Sequence, residues 1–231
     1  MHEGTYVLVG GGRQKQEVDE PVPAEDLYTS SYFSCKQRYA EAISNPAVET
    51  TGYTILSAKH DILWPHIEVE PYDTTVEELA EQPAPVEPDD YQETRYPWNE
   101  PEYHTRLDFW TRRVHFGRAS WLGFKSGFPE EDPHCRRLIV LAGDRYVDPL
   151  LENDVFEPFP WDTEFPFKSD ELGGIGDQMR WLNEEADRYE EYERSRIDAG
   201  EQADLYEWTP PPEPVLERPD VDGQSDWNDW L

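Results

Sequence analysis

Thr5-Tyr6-Val7-Leu8-Val9 runs directly into Gly10-Gly11-Gly12. The run is apolar at consecutive positions, so both faces of the segment are buried, as in a strand inside a parallel sheet. The glycines end the strand with a turn that side chains would obstruct. Two further segments read the same way: Tyr53-Thr54-Ile55-Leu56-Ser57 and Leu138-Ile139-Val140-Leu141-Ala142. Between and after them lie helical patterns. Ser30 or Ser31 caps a helix carrying Tyr32, Phe33, Tyr39, Ala40 and Ile43 on one broad face, ended by Asn45-Pro46. A long turn from Ala58 to Asp73 leads to Thr75-Val76-Glu77-Glu78, the opening of a capping box. Leu107, Trp110 and Val114 predict a helix from Thr105 to about Phe116, interrupted at Gly117. Met179, Leu182, Ala186 and Tyr189 predict another from Ile175 to about Asp198, supported by Glu184/Arg188 and Glu190/Arg194 pairs.

Strands alternating with helices imply an α/β fold. The expectation is a three-layer, Rossmann-like architecture: a mainly parallel sheet with flanking helices. Residues 1–199 are expected to form one domain, with an acidic, Pro-rich insertion at 81–105. Residues 200–231, with Pro210-Pro211-Pro212, read as an acidic disordered tail.

Composition constrains the setting. The formal net charge is −31, from 51 acidic and 20 basic residues. Self-repulsion on that scale opposes a compact state in dilute buffer. The nine Trp, thirteen Tyr and nine Phe, however, supply the area for a core. Lysines are confined to Lys15, Lys36, Lys59, Lys125 and Lys168; the other basic residues are Arg. Abundant carboxylates with few lysines suit a halophilic host, a haloarchaeon or one of its viruses, because molar salt shortens the Debye length to about 3 Å. Cys35 and Cys135 are too few for a disulfide framework and are expected to be reduced. No apolar run reaches the roughly 20 residues that cross a membrane, and no signal peptide precedes Tyr6. The expected location is therefore the cytoplasm.

In open α/β sheets ligands sit beyond the carboxyl ends of the strands. That principle singles out three turns. Gly10, Gly11 and Gly12, with Arg13 and Lys15, resemble an anion cradle, although neither a P-loop nor a dinucleotide fingerprint is present. Ser57-Ala58-Lys59-His60, with Glu70, Tyr72 and Asp73, gathers a hydroxyl, an ammonium, an imidazole and carboxylates in one loop. Lys59, His60 and Asp73 are the candidate catalytic residues, since His60 would titrate in the useful range. His60, His66, Glu68 and Asp73 match no known metal-ligand spacing. The third turn contributes Gly143 and Tyr146. The bland alternative at each turn is a glycine turn or a braced loop. Apart from these, Arg106, Arg112, Arg113 and Arg118 interleave with Phe109, Trp110 and Phe116, a pattern compatible with a nucleotide or nucleic acid. An amphipathic helix paired with surrounding acid explains that pattern more simply. Gly173-Gly174-Ile175-Gly176 opens the last helix, whose N-terminus attracts anions.

Taken in order, Val7 to Lys15, Pro23 to Tyr28, Ile55 to His60, Glu70 to Asp73, Leu141-Ala142-Gly143 with Tyr146, and Gly174-Ile175-Gly176 with Gln178 and Trp181 resemble the domain-of-unknown-function family numbered 6884. The resemblance spans roughly residues 6–183 apart from the insertion. That family often has Cys at the position of Gly11 and Gly-Leu at Asp61-Ile62. It brings no settled activity and no known cofactor. Its strand-loop pattern is distantly similar to the peroxide-stress protein family and to α/β domains accompanying archaeal tRNA transglycosylases. By analogy this suggests an anionic nucleotide- or nucleobase-like ligand, extending to an enzyme acting on nucleosides or nucleic acid. A non-enzymatic nucleic-acid-binding or acidic adaptor protein is the alternative.

Overall fold

A computed structural model describes residues 5–43, 53–84, 104–121, 137–156, 162–169 and 172–198. The helix-ending Asn45-Pro46, the insertion core, Cys135 and the C-terminal stretch expected to be a tail lie outside them.

The fold is mixed α/β around a mainly parallel five-stranded sheet. Strand β1 (Thr5–Gly10) is central, flanked by β3 (Tyr53–Ser57) and β6 (Arg137–Leu141), both parallel to it. The edges are β4 (Asp61–Leu63), antiparallel to β3, and β7 (Asp162–Glu164), parallel to β6. The sheet order is β4-β3-β1-β6-β7. From β1 the chain steps one way to β3 and then returns past β1 to β6. The strand order therefore reverses between β1 and β6. A separate two-stranded ribbon pairs β2 (Val22–Pro23) with β5 (Glu68–Val69).

Alternation along β1 divides the core in two. Tyr6 and Leu8 face one layer and Val7 and Val9 the other. The short helix α1 (Ala24–Leu27) and α2 (Ser31–Ile43) cover the Val7/Val9 face, together with α6 (Ile175–Asp198). The opposite face carries α3 (Val76–Glu81), α4 (Arg106–Trp121) and α5 (Asp144–Glu152). Helices α2 and α6 run side by side in the same direction. Tyr32 meets Gln178 near their N-termini, and Arg38 meets Asp187 and Glu190 further along.

Several elements differ from the sequence reading. The stretch after Ser57 is a hairpin into β4 rather than an irregular long turn. Its φ of 60° at Asp61 is the left-handed conformation that glycine adopts without cost. The related family's Gly at this position fits that geometry. Here Asp61 occupies it while its carboxylate binds Arg113 of α4. Helix α4 continues past Gly117 to Trp121. In α6, Arg188 pairs with Glu185, and Glu190 is drawn across to Arg38 rather than spent along its own helix. The capping box at Thr75 and Glu78 forms as the sequence implies. At the insertion, Pro83 bridges antiparallel to Thr105, so the chain leaves and rejoins the domain at one place. Among the described residues, no helix is long and apolar enough to cross a membrane.

Candidate functional site

All three turns marked in the sequence meet at the carboxyl edge of the sheet. Gly11 donates its N–H to the Leu56 carbonyl at 2.9 Å, which ties the glycine turn to the end of β3. This narrows the expected anion cradle, because one of its amide donors is already committed. A Cβ on Gly10 would lie 2.8 Å from that of Ala142, so β1 and β6 approach too closely there for any side chain. A Cβ on Gly11 would lie 2.9 Å from the Tyr28 ring. The cysteine common at this position in the related family would therefore require that ring to move.

Tyr72 is the centre of the arrangement. Its hydroxyl lies 2.6 Å from that of Tyr28 and 2.7 Å from the Ser57 Oγ. Ser57 Oγ also accepts the backbone N–H groups of Lys59 (3.2 Å) and His60 (3.0 Å), folding the hairpin tip around itself. Trp110 of α4 donates its indole N–H to the Ser57 carbonyl at 2.9 Å. Tyr146, in the first turn of α5, takes a backbone hydrogen bond from Ala58 and packs its ring 6.1 Å from that of Trp110. Burial raises the pKa of Tyr28, Tyr72 and Tyr146 above the ordinary phenol value, so all three stay protonated and hold the network as neutral hydroxyls.

Cations gather on this frame. Lys15 Nζ stands 4.4 Å from the Tyr72 ring centroid and Lys59 Nζ 5.8 Å from it. Burial lowers the pKa of Lys15, and nearby Asp73 partly opposes the shift. From α2, on the same face of the sheet as Tyr28 and Tyr72, Lys36 donates to the Gly10 carbonyl at 2.5 Å, with its Nζ 4.8 Å from the Tyr32 ring centroid. Among the described residues none of these three lysines forms a salt bridge. The arginines are paired: Arg13 and Arg145 both reach Glu77, at 3.5 and 2.7 Å.

Of the sequence-derived catalytic set, Lys59 and His60 lie side by side, with Lys59 exposed and His60 half-buried. Asp73 acts on Lys15. His60 does not titrate near neutrality. Burial first, then the positive charges of Lys59 and Arg113, lower its pKa to about 4. It is a neutral imidazole at pH 7, its ring edge-on to Tyr72 at 5.3 Å and its buried Nε2 without a hydrogen-bond partner among the described residues. Glu70 is exposed and makes no ion pair or hydrogen bond there. Gly12 sits beside the Ser30 Oγ at the start of α2, and Gly143 caps α5. Of the arginine-aromatic segment, Arg113 is held by Asp61, and the side chain of Arg118 lies outside the described residues.

Sequence reasoning missed the role of Lys36. The signal was present, because position 36 lies three residues from both Phe33 and Tyr39, within the apolar stripe of α2. A lysine on a core-facing position of a lysine-poor chain is the feature to seek.

Residues 6–84 match the model of a family of unknown function, DUF6884. The match carries β1 through α3, and with them the glycine turn, the Ser57 hairpin and Tyr72; Gly143 and Tyr146 lie beyond it. No curated protein and no solved structure matches the chain.

Proposed function

We propose that the carboxyl edge between β1, β3 and β6 binds an anionic, nucleotide-like ligand. One observation carries this reading. In a chain with 51 acidic and 20 basic residues, Lys15, Lys36 and Lys59 surround one strand-end turn, and none is in a salt bridge among the described residues. With carboxylates so abundant, unpaired ammonium groups at one place favour an external anion as their partner. The reversal of strand order between β1 and β6 is where open α/β sheets of Rossmann-like type place their ligands. The Tyr28–Tyr72–Ser57 chain and the neutral His60 supply hydroxyl and imidazole groups suited to a sugar or base edge.

Lys59, exposed beside His60, is the group best placed to act on a bound molecule if the protein is an enzyme of nucleosides or nucleic acid. A high-salt cytosol, in which the acidic surface is screened, is the setting that goes with this proposal.

The test is ligand-induced thermal stabilisation in concentrated KCl with AMP, adenosine, adenine and inorganic phosphate. AMP should raise the melting temperature in a dose-dependent way, and the combined Lys15→Gln/Lys59→Gln variant should lose most of that rise. Equal shifts in the variant and the parent chain would refute the assignment.

A further inference from the structure

Lys36 is 4% exposed and packed against the rings of Tyr32 and Phe33. Among the described residues its Nζ donates to one acceptor, the carbonyl of Gly10, the residue from which the glycine turn starts. Among the described residues, the groups facing it hold no compensating charge. On α2, Tyr32 is a phenol kept protonated by burial, and its hydroxyl is engaged by Gln178 of α6. Cys35 on the same helix accepts from Asn183 of α6 at 3.4 Å. β1 offers only a carbonyl, and no described carboxylate reaches Lys36. A buried ammonium without a counter-ion is costly, and an amine in that position tends to shed its proton.

We infer that Lys36 is the concealed counter-charge of the ligand site, protonated when a phosphate-bearing ligand occupies the turn at Gly10–Gly12 and neutral when the turn is empty. This deepens the proposed anion site and rests on it. It also narrows the ligand class, because a neutral nucleobase or nucleoside brings no charge to hold the proton, whereas a phosphate monoester does. Burial lowers the pKa of the amine to about 7 in the empty protein. An anion a few ångströms away favours its charged form, so binding should take up a proton at mildly alkaline pH.

The experiment is isothermal titration calorimetry of the full chain with AMP between pH 7.5 and 9.5, where the ligand's phosphate remains dianionic. Each pH is measured in two buffers of different ionisation enthalpy. The expected result is uptake approaching one proton per AMP, with affinity weakening by close to tenfold per pH unit, the limit for one linked proton. Lys36→Met should abolish the uptake and flatten the pH profile. AMP binding with no proton uptake in the unaltered chain would overturn the inference and leave the anion site standing. Uptake that persists in Lys36→Met would likewise overturn it, and failure of AMP to bind at any pH would overturn both.

Discussion

Tyr72 carries more of the site's geometry than any charged residue around it. Its hydroxyl joins Tyr28 and Ser57, and its ring lies beneath two ammonium groups. Tyr72→Phe removes both hydroxyl bonds and leaves buried polar partners behind, which costs about 1–3 kcal/mol. Urea denaturation should show that loss, and a smaller loss for Tyr146→Phe would be consistent with its single backbone bond. His60 makes a separate prediction about acid. Its folded pKa of about 4 lies below the ordinary value of 6.5. The unfolded chain therefore binds the proton first, and the residue's contribution is present above pH 6.5 and lost as pH falls through about 4. His60→Gln should shallow the fall in stability over that window, measured as the difference between variant and parent so that the carboxylates cancel. Much of this scale was legible in the sequence: Ser57, Lys59, Tyr72 and Tyr146 all stand at strand-end positions. Lys36 was not, because its apolar neighbours hid a charged residue within a core stripe. Nor was the low pKa of His60, which depends first on its burial in the folded hairpin and then on the charges of Lys59 and Arg113.

At the level of elements, the closeness of β1 and β6 decides where the rim forms. Gly10→Ala would place a methyl 2.8 Å from the Ala142 Cβ, and overpacking of this kind costs roughly 1–3 kcal/mol. Chemical denaturation should report it, along with weaker AMP binding because the glycine turn must shift. Three central strands were readable because each is apolar at consecutive positions. The edge strand β7 was not, since Asp162-Thr163-Glu164 has no apolar signal and is held by pairing with β6 and by the Arg137–Glu164 bridge. Helix α5 was hidden by Pro149, a residue that ordinarily interrupts helices. The β3–β4 hairpin was hidden by Asp61, a left-handed residue without the glycine that usually marks one.

For the whole molecule, the sheet with helices on both faces gathers Lys15, Lys36 and Lys59, which form no salt bridge among the described residues, at one edge of a chain with a net charge of −31. Opposed demands follow for salt. Screening should stabilise the fold, so the thermal midpoint should rise between 0.1 and 2 M KCl, as measured by circular dichroism. The same screening should weaken AMP binding if exposed Lys59 contributes, so affinity and stability should move in opposite directions. The alternation of strands and helices made the architecture legible, whereas the strand order followed only from long-range pairing that no local pattern encodes.

The most direct measurement is a crystal structure grown in concentrated KCl and soaked with AMP. Phosphate density at the carboxyl edge, with Lys15 and Lys59 turned toward it and Lys36 beneath Gly10, is the predicted result. AMP bound elsewhere, with this edge unchanged, would contradict the central claim.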